Sequence, residues 1–125
     1  MPYKSFEELD VWKECREFRK SISLLCKFLP TEEKYKLVDQ IIRSSRSVTA
    51  NIAEGHGRYH FQENIQSCRQ ARGSLIETMD HLIVANDEGY IDEKKLAELR
   101  LIYSICLRLL NGYILYLKNR KSQGK

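Results

Sequence analysis

Apolar residues step through this chain at intervals of three and four residues, in four successive stretches. That spacing repeats on one side of an α-helix and cannot line one face of a strand. The first seam is Val11, Cys15, Phe18, Ile22, Leu25 and Leu29, broadened by Trp12, Leu24 and Phe28. The second is Leu37, Ile41, Ser44, Val48 and Ile52. The third is Phe61, Ile65, Cys68, Arg72, Leu75, Met79, Leu82 and Asn86, with Arg72 a charge in an apolar row. The fourth is Leu96, Leu99, Tyr103, Cys106, Leu110, Tyr113 and Leu117. No stretch has the period of a strand. Four amphipathic helices joined by short turns predict an all-α chain folded as an antiparallel up-down-up-down four-helix bundle.

The breaks between the seams carry end signals. Ser5-Phe6-Glu7-Glu8 has the form of a capping box, with Asp10 a competing N-cap. Pro30 stops the first helix. Thr31 is placed to cap the second, with Glu32 and Glu33 in its first turn. Gly55 and Gly57 supply backbone freedom to end it near Glu54. The third helix starts between Tyr59 and Gln62 and ends at Gly89, which suits a left-handed cap. Asp92 caps the fourth. Gly73, in mid-helix, is expected where a neighbouring backbone comes close. Residues 1–117 form one bundle domain, and 118–125 read as a basic, frayed C-terminal tail.

A second apolar row, Ile102, Ile105, Leu109 and Tyr116, runs beside the fourth seam. A helix apolar on two sides is buried on two sides. In a chain of 125 residues the second side points to a subunit interface, or else to a wide core stripe. The longest unbroken apolar run is far short of the ~20 residues that span a bilayer, so no membrane is expected. The N-terminus carries three acids and no apolar signal core, which makes the cytoplasm the expected location. Cys15, Cys26, Cys68 and Cys106 form no C-x-x-C pair and are expected as buried, reduced thiols.

The polar residues of the second helix are unusual. Gln40, Arg43, Ser47, Asn51 and Glu54 recur every three or four residues beside the apolar row, flanked by Ser44, Ser45, Thr49, Ala50 and Ala53. Small side chains let another backbone approach, so this stripe is expected to meet protein or a ligand. Pairing the second and third helices about residues 57–58 brings Asp39 to Arg72 and Arg43 to Glu77. That predicts a partly buried ionic network fixing helix register. Asn51 and Glu54 are expected to anchor the Gly55–Gly57 turn.

Catalytic and metal chemistry find little footing. His56 and His60 flank a glycine turn with no H-E-x-x-H or E-x-x-H motif, so no metal site and no cofactor are expected. The serines lack a nucleophile motif. Net charge is +4, and residues 91–125 carry eight basic and three acidic groups. Basic side chains collect in Lys118-Asn119-Arg120-Lys121 and Lys125, a pattern that permits nucleic-acid contact.

Several short runs taken together resemble one family. They are Leu9-x-Val11-Trp12, Phe28-Leu29-Pro30, Glu33-x-Tyr35-x-Leu37, Gln40-Ile41-x-Arg43-Ser44 and Ser47-Val48-x-x-Asn51-Ile52-Ala53-Glu54-Gly55-x-Gly57-Arg58. Ala71-Arg72-Gly73-Ser74-x-x-Glu77 and Gly89-Tyr90 complete the set. The chain is similar over about residues 5–115 to the four-helix-bundle proteins encoded in intervening sequences of bacterial 23S ribosomal RNA genes. A related branch is the accessory variability protein of diversity-generating retroelements. The resemblance implies a homopentameric ring or barrel and no established enzymatic activity. In the retroelement branch the similar protein binds a reverse transcriptase and RNA. Ser45 departs from the pattern, which often has a second Arg there, and so does Cys15, where the first helix usually carries a small or polar residue.

The resulting expectation is a non-enzymatic oligomeric binding module. It contacts RNA or an RNA-associated, reverse-transcriptase-like protein through Arg46, Arg58, Lys118, Arg120 and Lys121. The alternative is a protein-interaction scaffold with no nucleic-acid role.

Overall fold

The structure, a computed structural model, describes residues 5–124. Lys125 and the first four residues of the N-terminal stretch lie outside it. Four helices account for most of the chain: α1 (Asp10–Cys26), α2 (Leu37–His56), α3 (Phe61–Asp87) and α4 (Glu93–Gln123). Two short 3-10 helices, Phe6–Glu8 and Thr31–Glu33, precede α1 and α2. Among the described residues there is no strand. The helices form a four-helix bundle in which α2–α3 is the most extensive contact, followed by α3–α4, α1–α2 and α1–α4.

The apolar seams enclose one core. Val11, Cys15, Phe18 and Ile22 of α1 pack with Leu37, Ile41, Val48 and Ile52 of α2. Ile65, Cys68, Leu75, Met79 and Leu82 of α3 and Leu96, Leu99, Cys106, Leu110 and Leu117 of α4 complete it. All four cysteines are buried and reduced. Arg72 leaves the seam by donating from Nη1 to Asn111 Oδ1 on α4 at 2.8 Å.

Helix starts differ from the simple reading at two places. Ser5 caps the 3-10 helix, accepting from the Glu7 N–H at 3.1 Å. Asp10 is then the first residue of α1 rather than its cap, behind the buried Leu9. Thr31 opens only the second 3-10 helix, and α2 waits until Leu37. The reason is Glu33, whose carboxylate accepts from the Leu37 N–H at 3.3 Å and so caps α2 from four residues upstream. The Asp92 and Gly89 signals hold. Asp92 Oδ1 accepts from the Lys95 N–H at 2.8 Å. Gly89 adopts φ +79°, with the Tyr90 N–H reaching back to the Ala85 carbonyl at 2.9 Å, a Schellman closure of α3.

The α2–α3 contact runs on small polar groups. Thr78 Oγ1 donates to Ser44 Oγ (2.8 Å) or to the Ser74 carbonyl (2.8 Å). Ser74 Oγ donates to Ser47 Oγ at 2.9 Å. The close-approach glycine is Gly55, not Gly73. A Cβ on Gly55 would stand 2.6 Å from Asn64 Oδ1 and 2.9 Å from the Ser67 Cβ, whereas one on Gly73 meets nothing within 4 Å. Gly55 lies inside α2, so its role is packing, and the helix ends at His56 with Gly57 in an ordinary right-handed conformation.

α4 is long and apolar enough, by length and composition, to cross a membrane, with mean hydropathy 1.2 over its best 18-residue window. Only 22% of that window is buried inside the chain. Leu101 and Leu115 are 66% and 59% exposed, while Ile102, Ile105 and Leu109 are half-buried. The helix therefore has more apolar surface than one chain covers.

The two glycines give opposite expectations. Gly55→Ala should destabilise the fold by about 1–3 kcal/mol, because the seam must open. Gly73→Ala should stabilise it by up to about 1 kcal/mol through helix propensity. Urea unfolding of both variants checks this, and equal effects of the same sign would contradict the assignment of the close contact to Gly55.

Candidate nucleic-acid interface

The seam delivers three chain segments to one place: the end of α2, the start of α3 and the end of α4. Arg58, just past α2, lies 3.7 Å from Glu54 Oε1 and 3.6 Å from Glu63 Oε2, so it straddles the turn. Glu54 reaches the turn through Arg58. Asn51 does not: its Nδ2 donates to the Ser47 carbonyl (2.9 Å) and Ser47 Oγ (3.0 Å), within α2. The α4 end folds over the α3 start. Lys121 Nζ donates to Gln62 Oε1 at 2.6 Å, and the Arg120 guanidinium stands 5.9 Å from the Phe61 ring centre. Lys118, Arg120 and Lys121 all ride on helix, since α4 continues to Gln123.

Arg58, Lys118, Arg120 and Lys121 are therefore neighbours or near-neighbours around the first turn of α3. Arg46 is not part of this group. It is exposed on α2, twelve residues before Arg58, or about 18 Å along a helix. Arg69, which the sequence reading passed over, joins Lys118 and Lys121 in lining a cleft of about 260 Å³. It lies seven residues after Gln62, on the same helical face. Tyr59, beside Arg58, is 99% exposed.

The expected ionic network between α2 and α3 is absent among the described residues. Arg43 pairs with Asp39 on its own helix (3.1 Å), and Glu77 pairs with His81 on its own helix (3.1 Å). For Asp39 and Arg72 the reason is register, whereas Arg43 and Glu77 both face solvent. Ser44, expected beside Arg72, meets Thr78 instead, which carries Arg72 far from Asp39. The polar stripe of α2 divides accordingly. Ser47 and Asn51 turn into the seam, while Gln40, Arg43 and Glu54 face solvent. Asn64 extends the seam to α4 through its Nδ2, 3.3 Å from the Tyr113 hydroxyl. His56 and His60 sit on opposite sides of the turn, not on one helix.

A second polar junction ties Glu33, before α2, to Tyr90, between α3 and α4. The Tyr90 hydroxyl donates to Glu33 Oε2 at 2.7 Å. That bond, helped by the Leu37 N–H and Lys36, holds the Glu33 carboxyl below the usual carboxylate range. Tyr90 is pushed up to about 12, chiefly by its bond to Glu33 and then by desolvation and the nearby Glu charges. Three thiols are held in their unreactive form by contrast. Burial pushes Cys26 up to about 11 and Cys68 up to about 12. Cys15, hydrogen-bonded to the Cys106 thiol and buried, is raised well beyond the ordinary thiol range. Thiolates, not thiols, react.

The family model described as 23S rRNA-intervening sequence protein matches residues 7–112. The chain belongs to this family. A solved structure with a similar fold is a protein of unknown function from the S23 ribosomal protein family of Bacteroides thetaiotaomicron VPI-5482. It is 28% identical, the match covers 83% of this chain and 94% of that one, and the TM-score is 0.77. No curated protein matches the chain. In this family member the Asn51–Gly57 run has a physical division of labour: Asn51 serves α2 itself, Gly55 admits α3, and Glu54 holds Arg58 at the turn.

Tyr90→Phe tests the second junction. A carboxyl whose folded pKa is depressed adds stability above its unfolded value, near 4.3, and loses it as pH falls through the folded value. A phenol whose folded pKa is raised adds stability below about 10 and loses it as pH rises through about 12. The stability margin of the wild type over Tyr90→Phe should therefore be flat at neutral pH and shrink at both extremes. Urea midpoints across pH measure it, and a margin that grows on acidification would contradict the assignment.

Proposed function

We propose that this protein is a non-enzymatic, cytoplasmic, oligomeric binding module that contacts RNA, or an RNA-associated protein, through the basic end of an antiparallel bundle. The observation that carries the reading is the gathering of Arg58, Arg69, Lys118, Arg120 and Lys121 around the α3 start, with the exposed Tyr59 beside them. Cations follow a phosphate backbone, and an exposed aromatic ring offers a stacking surface to an unpaired base. The antiparallel order is supported by the hydroxyl contacts: an earlier α2 residue, Ser44, meets the later Thr78, and Ser47 meets the earlier Ser74.

Assembly rests on α4. Leu101, Ile105, Gly112 and Leu115 share its outer side, and a Cβ on Gly112 would meet nothing within 4 Å. Nothing inside the chain requires that glycine, which costs about 1 kcal/mol against Ala in mid-helix. A close-packed second copy explains it. A ring closes through two different surfaces, and Ile76 and Val84 on α3, exposed at 49% and 36%, offer another apolar patch. Five copies is the number the family resemblance favours. Five chains of charge +4 convert a weak basic patch into a multivalent one.

A scaffold with no nucleic-acid role is the second reading. Phe28 and Tyr35, each 84% exposed near the α1–α2 junction, favour it as a protein-docking surface.

Light scattering on a size-exclusion column should give a mass several times 14.7 kDa, and Leu115→Glu should reduce it towards one chain. A monomeric wild type at micromolar concentration contradicts the assembly. Structured RNA should be retained at low salt and released by about 200 mM salt, as counterion competition requires. Absence of binding at low salt would sink the RNA reading, and nuclease-resistant capture of one defined protein would favour the scaffold.

A further inference from the structure

The cleft between the first turns of α3 and the last turns of α4 has a chemistry that packing does not explain. Gln62, Ile65 and Arg69 line it from α3, and Lys118, Lys121 and Ser122 from α4. Three side chains are cationic, two are neutral and polar, and none is a carboxylate. Among the described residues neither Arg69 nor Lys118 has an ion-pair partner. Lys121 is bonded to a neutral amide oxygen of Gln62.

Cations near the end of a helix complement its dipole, which accounts for Arg120 and Lys121 in the last turn of α4. It does not account for Arg69, which lies more than two turns into α3, or for Lys118, further back on α4. Converging like charges without a counter-charge costs energy that a bound anion removes. The α3 N-terminus has no side-chain cap, so its first N–H groups add to the positive potential. The volume, about 260 Å³, lies just below the ~300–1,000 Å³ of small-molecule pockets.

We propose that this cleft binds one phosphate group of an RNA strand. The Arg69 guanidinium presents a planar fork to two phosphate oxygens, the geometry in which Arg binds phosphate best. Lys118 and Lys121, one helical turn apart on α4, donate from the facing wall. Gln62 and Ser122 supply neutral hydrogen bonds. The strand's identity as RNA rests on the function proposed above; the anion chemistry rests on the cleft alone.

The test is fluorescence anisotropy with a short labelled single-stranded RNA, read across a salt series for the full chain. Arg69 and Lys118 are exposed, so Arg69→Ala and Lys118→Ala should fold as the wild type does, which circular dichroism checks. Lys94→Ala is the charge-matched control, about 36 Å along α4 from Lys118. Arg69→Ala and Lys118→Ala should each weaken binding roughly five- to tenfold and lower the salt slope by about one unit, while Lys94→Ala changes neither much. RNA binding by the wild type that Arg69→Ala and Lys94→Ala alter equally would overturn the cleft and leave the RNA reading standing. In parallel, inorganic phosphate should shift the amide NMR signals of Gln62, Arg69 and Ser122 in the wild type but not in Arg69→Ala. Phosphate shifts without any RNA binding would uphold the anion site and overturn RNA as its source. Neither response would overturn both.

Discussion

The structure depends on how closely α2 and α3 approach. Hydroxyls at Ser44, Ser47, Ser74 and Thr78 and the bare Cα of Gly55 let the two helices meet without large side chains between them. Each of these hydroxyls also has a partner; Ser44, Ser45 and Thr49 return theirs to carbonyls three residues back. A neutral polar seam of this kind fixes register by shape and hydrogen bonds, without the desolvation penalty of a buried ion pair. Where the seam ends, Asn64 carries it on to Tyr113 and so sets α4 against α3.

That register decides what gathers at the bundle's ends. It brings the α4 terminus over the first turn of α3, where Arg120 covers Phe61 and Lys121 reaches Gln62. Cations far apart in sequence, Arg58, Arg69 and Lys118–Lys121, thereby share one region. The charges there differ in availability. Arg58 is held between two carboxylates, whereas Arg69 and Lys118 have none. A proposed anion site falls on the uncompensated pair.

The helices and the core were legible in the sequence because the three-and-four spacing of apolar residues is a property of each segment alone. So were the Asp92 cap and the left-handed Gly89. The register of α2 on α3 was not, because it is set by which small side chains interlock, and Ser and Thr look alike in a pattern of apolar and polar positions. Counting outward from the turn put Ser44 at Arg72 and missed Thr78. The same error paired Asp39 with Arg72, whereas Asp39 pairs with Arg43 within α2. The late start of α2 was missed because Glu33 acts as a cap through space, from outside the helix. Of the basic residues, Arg58, Lys118, Arg120 and Lys121 were visible as charges near breaks in the pattern. Arg69 was overlooked because it sits singly within a helix, and only the α3–α4 packing gives it companions.

The central claim is that the α3-start and α4-end region is the surface that meets RNA. Photocrosslinking of the assembled protein to thiouridine-labelled RNA, with peptide mapping by mass spectrometry, tests it most directly. The account predicts crosslinks concentrated in residues 58–69 and 118–122. Crosslinks concentrated instead near Phe28 and Tyr35, at the α1–α2 junction, would contradict it.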